Sequence, residues 1–190
     1  IVTGTYRKLT ALLVVSTIPT MLIGYQCKRL VVRTAASHMF SGIGLLLTGV
    51  ILLVVDYSSI NGNKGTREAN YGDAMWMGIC QGVSVFPGIS RLGLTMSAGL
   101  FCGMSRKFAV KYSLLMSIPA VIGAFIVEMG EFTSVSMTVG RGFTYVLGML
   151  IAGVTGYLVI RFMVNFVNQI KLRYFAFYCF AAGIIALAVN

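Results

Sequence analysis

The stretch V-F-P-G-I-S-R-L-G-L-T combines an arginine, two hydroxyls, two glycines and a proline between two apolar runs. Pro87 and Gly88 favour a break in the helix, so that the next helix would begin with amides that lack helical partners. Such a helix start attracts anions through its amides and its dipole. The guanidinium of Arg91 matches phosphate oxygens in bidentate fashion. Together with the hydroxyls of Ser90 and Thr95, these features predict a phosphate-binding cradle.

The alternative for the same stretch is purely structural. Arg91 would extend to the membrane interface or pair with a backbone carbonyl, and Ser90 would cap the following helix. A charged residue inside an apolar region is a functional candidate by default, so we favour the phosphate site. The similar G-M-S-R at 103–106 precedes a cationic loop. We interpret Ser105 there as a helix cap and the neighbouring cations as membrane anchors.

The composition of the 190-residue chain predicts an all-α integral membrane protein. The chain is 57% hydrophobic and 11% charged, with a mean hydropathy of +0.87, whereas soluble domains carry roughly 25% charged residues. The net charge is +10, but the cations flank apolar runs, as topology signals and anionic-lipid contacts do. This distribution excludes a soluble nucleic-acid binder. The cysteines lack CxxC spacing and the single histidine has no neighbouring ligand, so we expect no metal site.

Five apolar runs approach the roughly 20 residues that a membrane helix needs. They are Leu9–Gln26, Phe40–Asp56, Tyr112–Met129, Phe143–Arg161 and Tyr174–Val189. Two further runs, Met75–Phe86 and Gly93–Met104, are too short to cross alone and are separated by Pro87 and Gly88. They form either one broken crossing or a re-entrant hairpin that enters and leaves on one side. We predict one polytopic membrane domain over residues 1–190.

The distribution of cations favours the hairpin, at about residues 75–104. With a hairpin, most lysines and arginines fall on the side that holds Arg7 and Lys8, which would then be cytoplasmic. With a single broken crossing the later loops change sides and the bias is less clean. The loop on the opposite side is expected to hold Lys28, Arg29 and Arg33.

At these residues the sequence resembles the bacterial undecaprenyl-diphosphate phosphatase family, which is associated with bacitracin resistance. The family motif is P-G-x-S-R-S-G-x-T, and the matching residues here are Pro87, Gly88, Ser90, Arg91, Gly93 and Thr95. The flanks also match, because Gly78 and Gln81 fit a G-x-x-Q segment and Y-S-L-L-M-S-I-P, from Tyr112 to Pro119, resembles F-S-F-L-L-x-I-P. The resemblance covers nearly the whole chain.

The sequence departs from the family pattern in two places. Leu92 stands where the motif has its second serine. The family's earlier half-site, an (E/Q)xxxE pair followed by P-V-S-S-T-G-H, has no match, and we interpret Glu128 and Glu131 as interfacial residues at a span end. We therefore expect this chain to correspond to the C-terminal two-thirds of such an enzyme, without its first helices, and to hydrolyse poorly by itself.

The resemblance implies hydrolysis of undecaprenyl diphosphate to undecaprenyl phosphate and phosphate, which recycles the lipid carrier for cell-wall synthesis in the bacterial plasma membrane. Arg91 would hold the diphosphate and stabilise charge in the transition state. The residues expected to act on the substrate are Arg91, Ser90 and Thr95, and those expected to complete its binding site are Gly88, Gly93 and Gln81.

The resemblance also implies a divalent cation, whose ligands would lie outside this chain. The expected partners are a polyprenyl diphosphate and the bilayer, without nucleic acid, and a homodimer is left open. One alternative is a member that binds or translocates a polyprenyl phosphate without cleaving it. Another is an assembly protein in which Arg91 serves packing. Phosphate release separates hydrolysis from both.

Overall fold

The computed structural model describes residues 2–35, 37–58, 62–132, 139–166 and 171–188. Within these ranges the chain is almost entirely helical, which confirms the all-α prediction. The helices are α1 (Val2–Ala35), α2 (His38–Tyr57), α3 (Tyr71–Val83), α4 (Arg91–Phe101), α5 (Arg106–Phe132), α6 (Val139–Phe166) and α7 (Leu172–Ala188).

Four of these helices, α1, α2, α5 and α6, are long and apolar enough to cross a membrane. Helix α7 is apolar over 17 residues, which is the lower limit for a crossing. The five spans expected from the sequence therefore correspond to five helices, and the chain is an integral membrane protein of the all-α class.

Helix α1 is longer than the sequence suggested. It continues unbroken to Ala35, so Lys28, Arg29 and Arg33 lie on its last turns and the prediction that they form a loop is wrong. The reason is local: lysine and arginine are good helix formers, and no glycine or proline follows Gly24 in this helix. These cations therefore have fixed positions on helix faces.

Helices α3 and α4 form a hairpin whose two ends meet. The amide of Lys64, ahead of α3, donates to the Gly103 carbonyl at 3.1 Å, and the amide of Ser105, after α4, donates to the Lys64 carbonyl at 3.1 Å. At about 1.5 Å per residue, the 13 residues of α3 and 11 of α4 are too short for a hydrocarbon core of roughly 30 Å. This is the geometry that a re-entrant hairpin requires; its position in a bilayer stays a prediction.

The tip of the hairpin rests on α2. Gly88 has a φ of +81°, and a Cβ there would lie 2.0 Å from the Ser41 carbonyl oxygen, so glycine is required both for conformation and for space. The buried Thr48 hydroxyl accepts the Ser90 amide at 3.0 Å, donates to the Gly44 carbonyl at 2.9 Å and lies 3.4 Å from the Gly88 carbonyl. One threonine of α2 thus satisfies the backbone of the break.

The other face of the hairpin packs on α1 with little space between the backbones. A Cβ on Gly78 would lie 2.2 Å from the Ser16 carbonyl oxygen, and a Cβ on Gly82 would lie 2.8 Å from the Cβ of Ile23. Close approach of this kind is how small residues stabilise helix pairs in membranes. Because α3 lies against the middle of α1, the tip is level with the second half of α1.

Several charged side chains form ion pairs or hydrogen bonds at one end of the bundle. The buried carboxylate of Asp56 accepts from the Leu172 amide and from Arg173 Nε, each at 3.1 Å, and lies 3.9 Å from the Arg106 guanidinium. Lys8 on α1 donates to the Arg67 carbonyl. We call this the basic end. It contains Lys8, Lys64, Arg67, Arg106 and Arg173, which the cation distribution placed on one side.

The predicted cap at Ser105 is confirmed. Its carbonyl accepts the Ala109 amide at 2.9 Å and its hydroxyl accepts the Phe108 amide at 3.4 Å, at the start of α5. The second G-S-R stretch is therefore a helix start at the basic end.

Helices α2 and α7 pack closely, through Gly42, Gly49 and Gly183. Within the described ranges, helix α6 contacts α5 alone, and only slightly. None of the residues in its most apolar stretch is buried. Most of this stretch is therefore exposed.

The close packing of α1 on α3 predicts that Gly78→Ala destabilises the fold. The added methyl group meets backbone that cannot rotate away, which costs about 1–3 kcal/mol in overpacked sites. The measurement is the thermal unfolding midpoint in detergent. Gly148→Ala on α6 is the matched control, because nothing lies within 4 Å of its added Cβ, and alanine is the better helix former. Equal midpoints for the two variants would contradict this packing.

The contacts of Thr48 predict that Thr48→Val destabilises the hairpin tip while Thr48→Ser does not. Valine has the same shape but leaves the Ser90 amide without its acceptor, a loss of about 1–3 kcal/mol. The unfolding midpoints of the two variants in detergent check this prediction. A valine variant as stable as the serine variant would mean that the hydroxyl does not hold the tip.

Candidate functional site

A cavity of about 330 Å³ lies where the hairpin tip meets α1 and α5. Its walls come from three helices and from the break: the α1 face facing the hairpin, Gln81 of α3, Val85 and Arg91 of the break and helix start, and one face of α5. The polar or charged residues in this wall are Thr20, Tyr25, Lys28, Gln81, Arg91 and Glu128. The cavity therefore brings together two residues that the sequence singled out, Arg91 and Gln81.

Arg91 is the first residue of α4, and its side chain is exposed. The helix begins here because Ser90 has extended backbone angles and its hydroxyl accepts the Gly93 amide at 3.1 Å, as an N-cap does. The cap fixes the direction in which α4 leaves the break. It thereby fixes the position of Arg91 in the cavity wall.

The helix start offers fewer amides than the sequence suggested. The Gly93 amide bonds the Ser90 hydroxyl, and the Leu94 amide donates to the Ser90 carbonyl at 2.9 Å. The amides of Arg91 and Leu92 precede this first helical bond. They are the two amides at the start of α4 that remain for an anion.

Thr95 lies one turn inside α4, with an exposed fraction of 1%. Its hydroxyl donates to the Arg91 carbonyl at 2.8 Å, and it is not among the residues lining the cavity. Ser90, Gly93 and Gly88 likewise shape the break and the helix start from outside the lining. A direct bond from Ser90 or Thr95 to phosphate stays a prediction.

Gln81 is 1% exposed and has one unmet hydrogen-bonding group. Its Nε2 donates to the Met116 carbonyl of α5 at 3.0 Å, whereas its Oε1 has no partner. A carbonyl acceptor demands the amide nitrogen, so this bond fixes which end of the amide faces Met116. Gln81 therefore lines the cavity and carries a buried acceptor without a partner, and a buried acceptor is stabilised by binding a donor such as water.

Lys28 and Glu128 are functional candidates that the sequence did not indicate. Lys28 is half-buried and lines the cavity, although its position suggested only a topology signal. Glu128 lines the same cavity from α5, whereas we expected an interfacial residue; the side chain of Glu131 lies outside the described part of the chain. The available signal was helical spacing, since Thr20, Gly24 and Lys28 recur every four residues on one face of α1.

The cavity does not fit a resident divalent cation. Hard cations take several oxygen ligands, mainly carboxylates, and Glu128 is the one carboxylate among the described residues of the lining. In the part of the chain that the structure describes, no three His, Cys, Asp or Glu side chains come together. Within the described part of the chain, the cationic groups of this lining that could contact phosphate are Lys28 and Arg91.

An apolar groove of about 790 Å³ adjoins the cavity along α1. It shares Met21 and Tyr25 with the cavity and continues along α1 past Ile18 and Leu13, with Pro119 of α5 in its wall. The charged cavity and the apolar groove are thus neighbours on α1. Such a shape suits a ligand with a polar head and a hydrocarbon tail.

Comparison with known proteins identifies the family of this chain. The family model described as bacitracin resistance protein BacA matches residues 3–185. The undecaprenyl-diphosphatase of Alkaliphilus metalliredigens is 38% identical over 98% of this chain and 67% of its own length. Those of Desulforapulum autotrophicum and Methanosphaera stadtmanae are 38% and 33% identical, over 95% and 97% of this chain and 64% and 65% of their own lengths. The chain spans about two thirds of these relatives, and it belongs to the BacA family of bacitracin resistance proteins.

Proposed function

We propose that this chain takes part in the hydrolysis of undecaprenyl diphosphate to undecaprenyl phosphate and phosphate, as a phosphatase of the membrane. The observation that carries the proposal is that Arg91, at a capped helix start, and the unpartnered acceptor of Gln81 wall the same cavity. The relatives named undecaprenyl-diphosphatase support the substrate. The reaction would return the lipid carrier to cell-wall synthesis.

Arg91 supplies the charge that the reaction needs. The oxygen of water bonds to the terminal phosphorus, the bond from that phosphorus to the bridging oxygen breaks, and undecaprenyl phosphate leaves with the electron pair. The protons of the water go to the released phosphate. Phosphoryl transfer depends mainly on positioning and on stabilising charge spread over the phosphoryl oxygens. A planar guanidinium binds two of these oxygens at once, and the dipole of α4 adds to its field.

In this proposal Gln81 holds the attacking water through its unpartnered Oε1. Phosphate oxygens are acceptors and would repel Oε1, whereas water donates to it. Because the amide is fixed by its bond to the Met116 carbonyl, a water bound at Oε1 would have a defined position. Orienting one reactant in this way lowers the entropy cost of the reaction.

The groove along α1 supports a lipid substrate. It borders the cavity at Met21 and Tyr25, so in this proposal a polyprenyl tail lies along α1 while the diphosphate stays beside Arg91. The cavity lies toward the far end of α1 from the basic end. If the basic end is cytoplasmic, as the positive-inside rule predicts, the cavity faces the outer side of a bacterial plasma membrane. A homodimer and a divalent cation bound with the help of residues outside this chain stay predictions.

Arg91→Ala is expected to lower phosphate release about 100-fold or more, because the cation that stabilises the charge on the phosphoryl oxygens is lost. The measurement is phosphate release from undecaprenyl diphosphate in detergent. We expect slow release by this chain alone and faster release when the part of the Alkaliphilus metalliredigens relative that the match leaves out is joined to it. The matched control is Arg33→Ala, which removes an exposed cation from the last turn of α1.

Two outcomes would contradict the proposal. Equal release by the Arg91→Ala and Arg33→Ala variants would mean that Arg91 does not act on the phosphate. Binding of undecaprenyl phosphate without any release, by the chain alone and after it has been joined to the relative's segment, would favour a binding or translocating protein instead.

Gln81→Met is expected to lower kcat about tenfold to hundredfold with little change in KM, because an unpositioned water costs rate rather than binding. Methionine fills a similar volume without polar groups, so the unfolding midpoint should remain close to that of the unchanged chain. The measurement is steady-state phosphate release. A raised KM at constant kcat would assign Gln81 to substrate binding.

A further inference from the structure

We infer that Lys28 is a second phosphate ligand of the cavity and makes it select a diphosphate over a monophosphate. This inference rests on the proposed function, since it specifies which phosphate group each cation holds. Arg91 would bind one phosphoryl group and Lys28 the other.

The position of Lys28 on α1 supports this role. Thr20, Gly24 and Lys28 follow one another at intervals of four residues, so they lie on one face of the helix. All three line the cavity, and Val31 continues the same face. Lys28 thus enters the cavity from α1, whereas Arg91 enters it from α4. Two cations on different elements can contact the two ends of one anion.

The chemistry of the two side chains fits two different phosphate groups. The guanidinium of Arg91 is a rigid fork that matches the oxygens of a single phosphoryl group. The ammonium of Lys28 is a compact charge on a flexible stem, which can reach a second group without a fixed orientation. A monophosphate satisfies the fork and gains little from a second, separate cation. A diphosphate gains from both.

The net charge of the cavity lining depends on Lys28. Among the residues that the structure describes, the lining holds two cations, Lys28 and Arg91, and one carboxylate, Glu128. The formal charge of these residues together is therefore positive, and it becomes zero if Lys28 is removed. It becomes more positive if Glu128 is removed. Charges at a partly enclosed site act more strongly than in open water, so the two changes should shift anion binding in opposite directions.

A topology role alone does not account for the placement of Lys28. Arg29 and Arg33 are on the same turns of α1, are exposed, and are not among the lining residues. They supply positive charge at this end of the helix without entering the cavity. Arg29 is therefore a matched control with the same charge and nearly the same position along the axis.

The test is the binding of inorganic pyrophosphate and of inorganic phosphate to the purified chain in detergent, by isothermal titration calorimetry. The unchanged chain should prefer pyrophosphate. Lys28→Gln should weaken pyrophosphate binding about tenfold or more, the value of one charge-assisted hydrogen bond, and weaken phosphate binding much less. Lys28→Arg should keep the preference, and Arg29→Gln should bind both anions as the unchanged chain does. Glu128→Gln should strengthen pyrophosphate binding.

The inference is overturned if the unchanged chain shows no preference for pyrophosphate. It is also overturned if Lys28→Gln and Arg29→Gln weaken the binding of both anions equally. If Lys28→Gln does not fold, Glu128→Gln decides, and unchanged affinity in that variant overturns the inference. Binding also separates this inference from the proposed hydrolysis. A chain that loses its pyrophosphate preference with Lys28→Gln but releases no phosphate from the lipid supports the site and contradicts the reaction.

Discussion

The structure depends on satisfying the backbone of a broken helix inside an apolar protein. Non-helical backbone at membrane depth is tolerated only where protein or enclosed water supplies hydrogen bonds. Thr48 supplies them from α2, by accepting the Ser90 amide and lying within 3.4 Å of the Gly88 carbonyl. The cap by Ser90 then begins α4 at a defined place. Without these bonds, Arg91 would have no fixed position.

The same break explains why the hairpin is held so closely by its neighbours. The tip fits against α2 because Gly44 there has no side chain. The other face of the hairpin fits against α1 because Gly78 of α3 has none. These contacts leave the side toward α5 open, where the cavity forms. Polar groups therefore meet on this side of the tip. Gln81 connects the hairpin to α5 there, by donating to the Met116 carbonyl.

Local signals in the sequence predicted local structure well. Pro87 and Gly88 predicted the break, and Ser105 predicted a cap, because turn and cap preferences depend on a few neighbouring residues. Contacts between distant elements could not be predicted in this way. Thr48 looked like an ordinary residue of an apolar span, and Lys28 looked like a loop cation. Their roles depend on which faces of α1, α2 and α5 pack together, and spacing within one helix does not determine that.

Helix α6 has a consequence for how the protein responds to its surroundings. Its apolar stretch of 24 residues is about 36 Å long, more than a hydrocarbon core of roughly 30 Å, so it must tilt or locally thicken the bilayer. Within the described ranges it touches α5 alone, and α5 carries Glu128 into the cavity. Because so little protein holds α6, a change in membrane thickness would alter its tilt more readily than that of the closely packed helices.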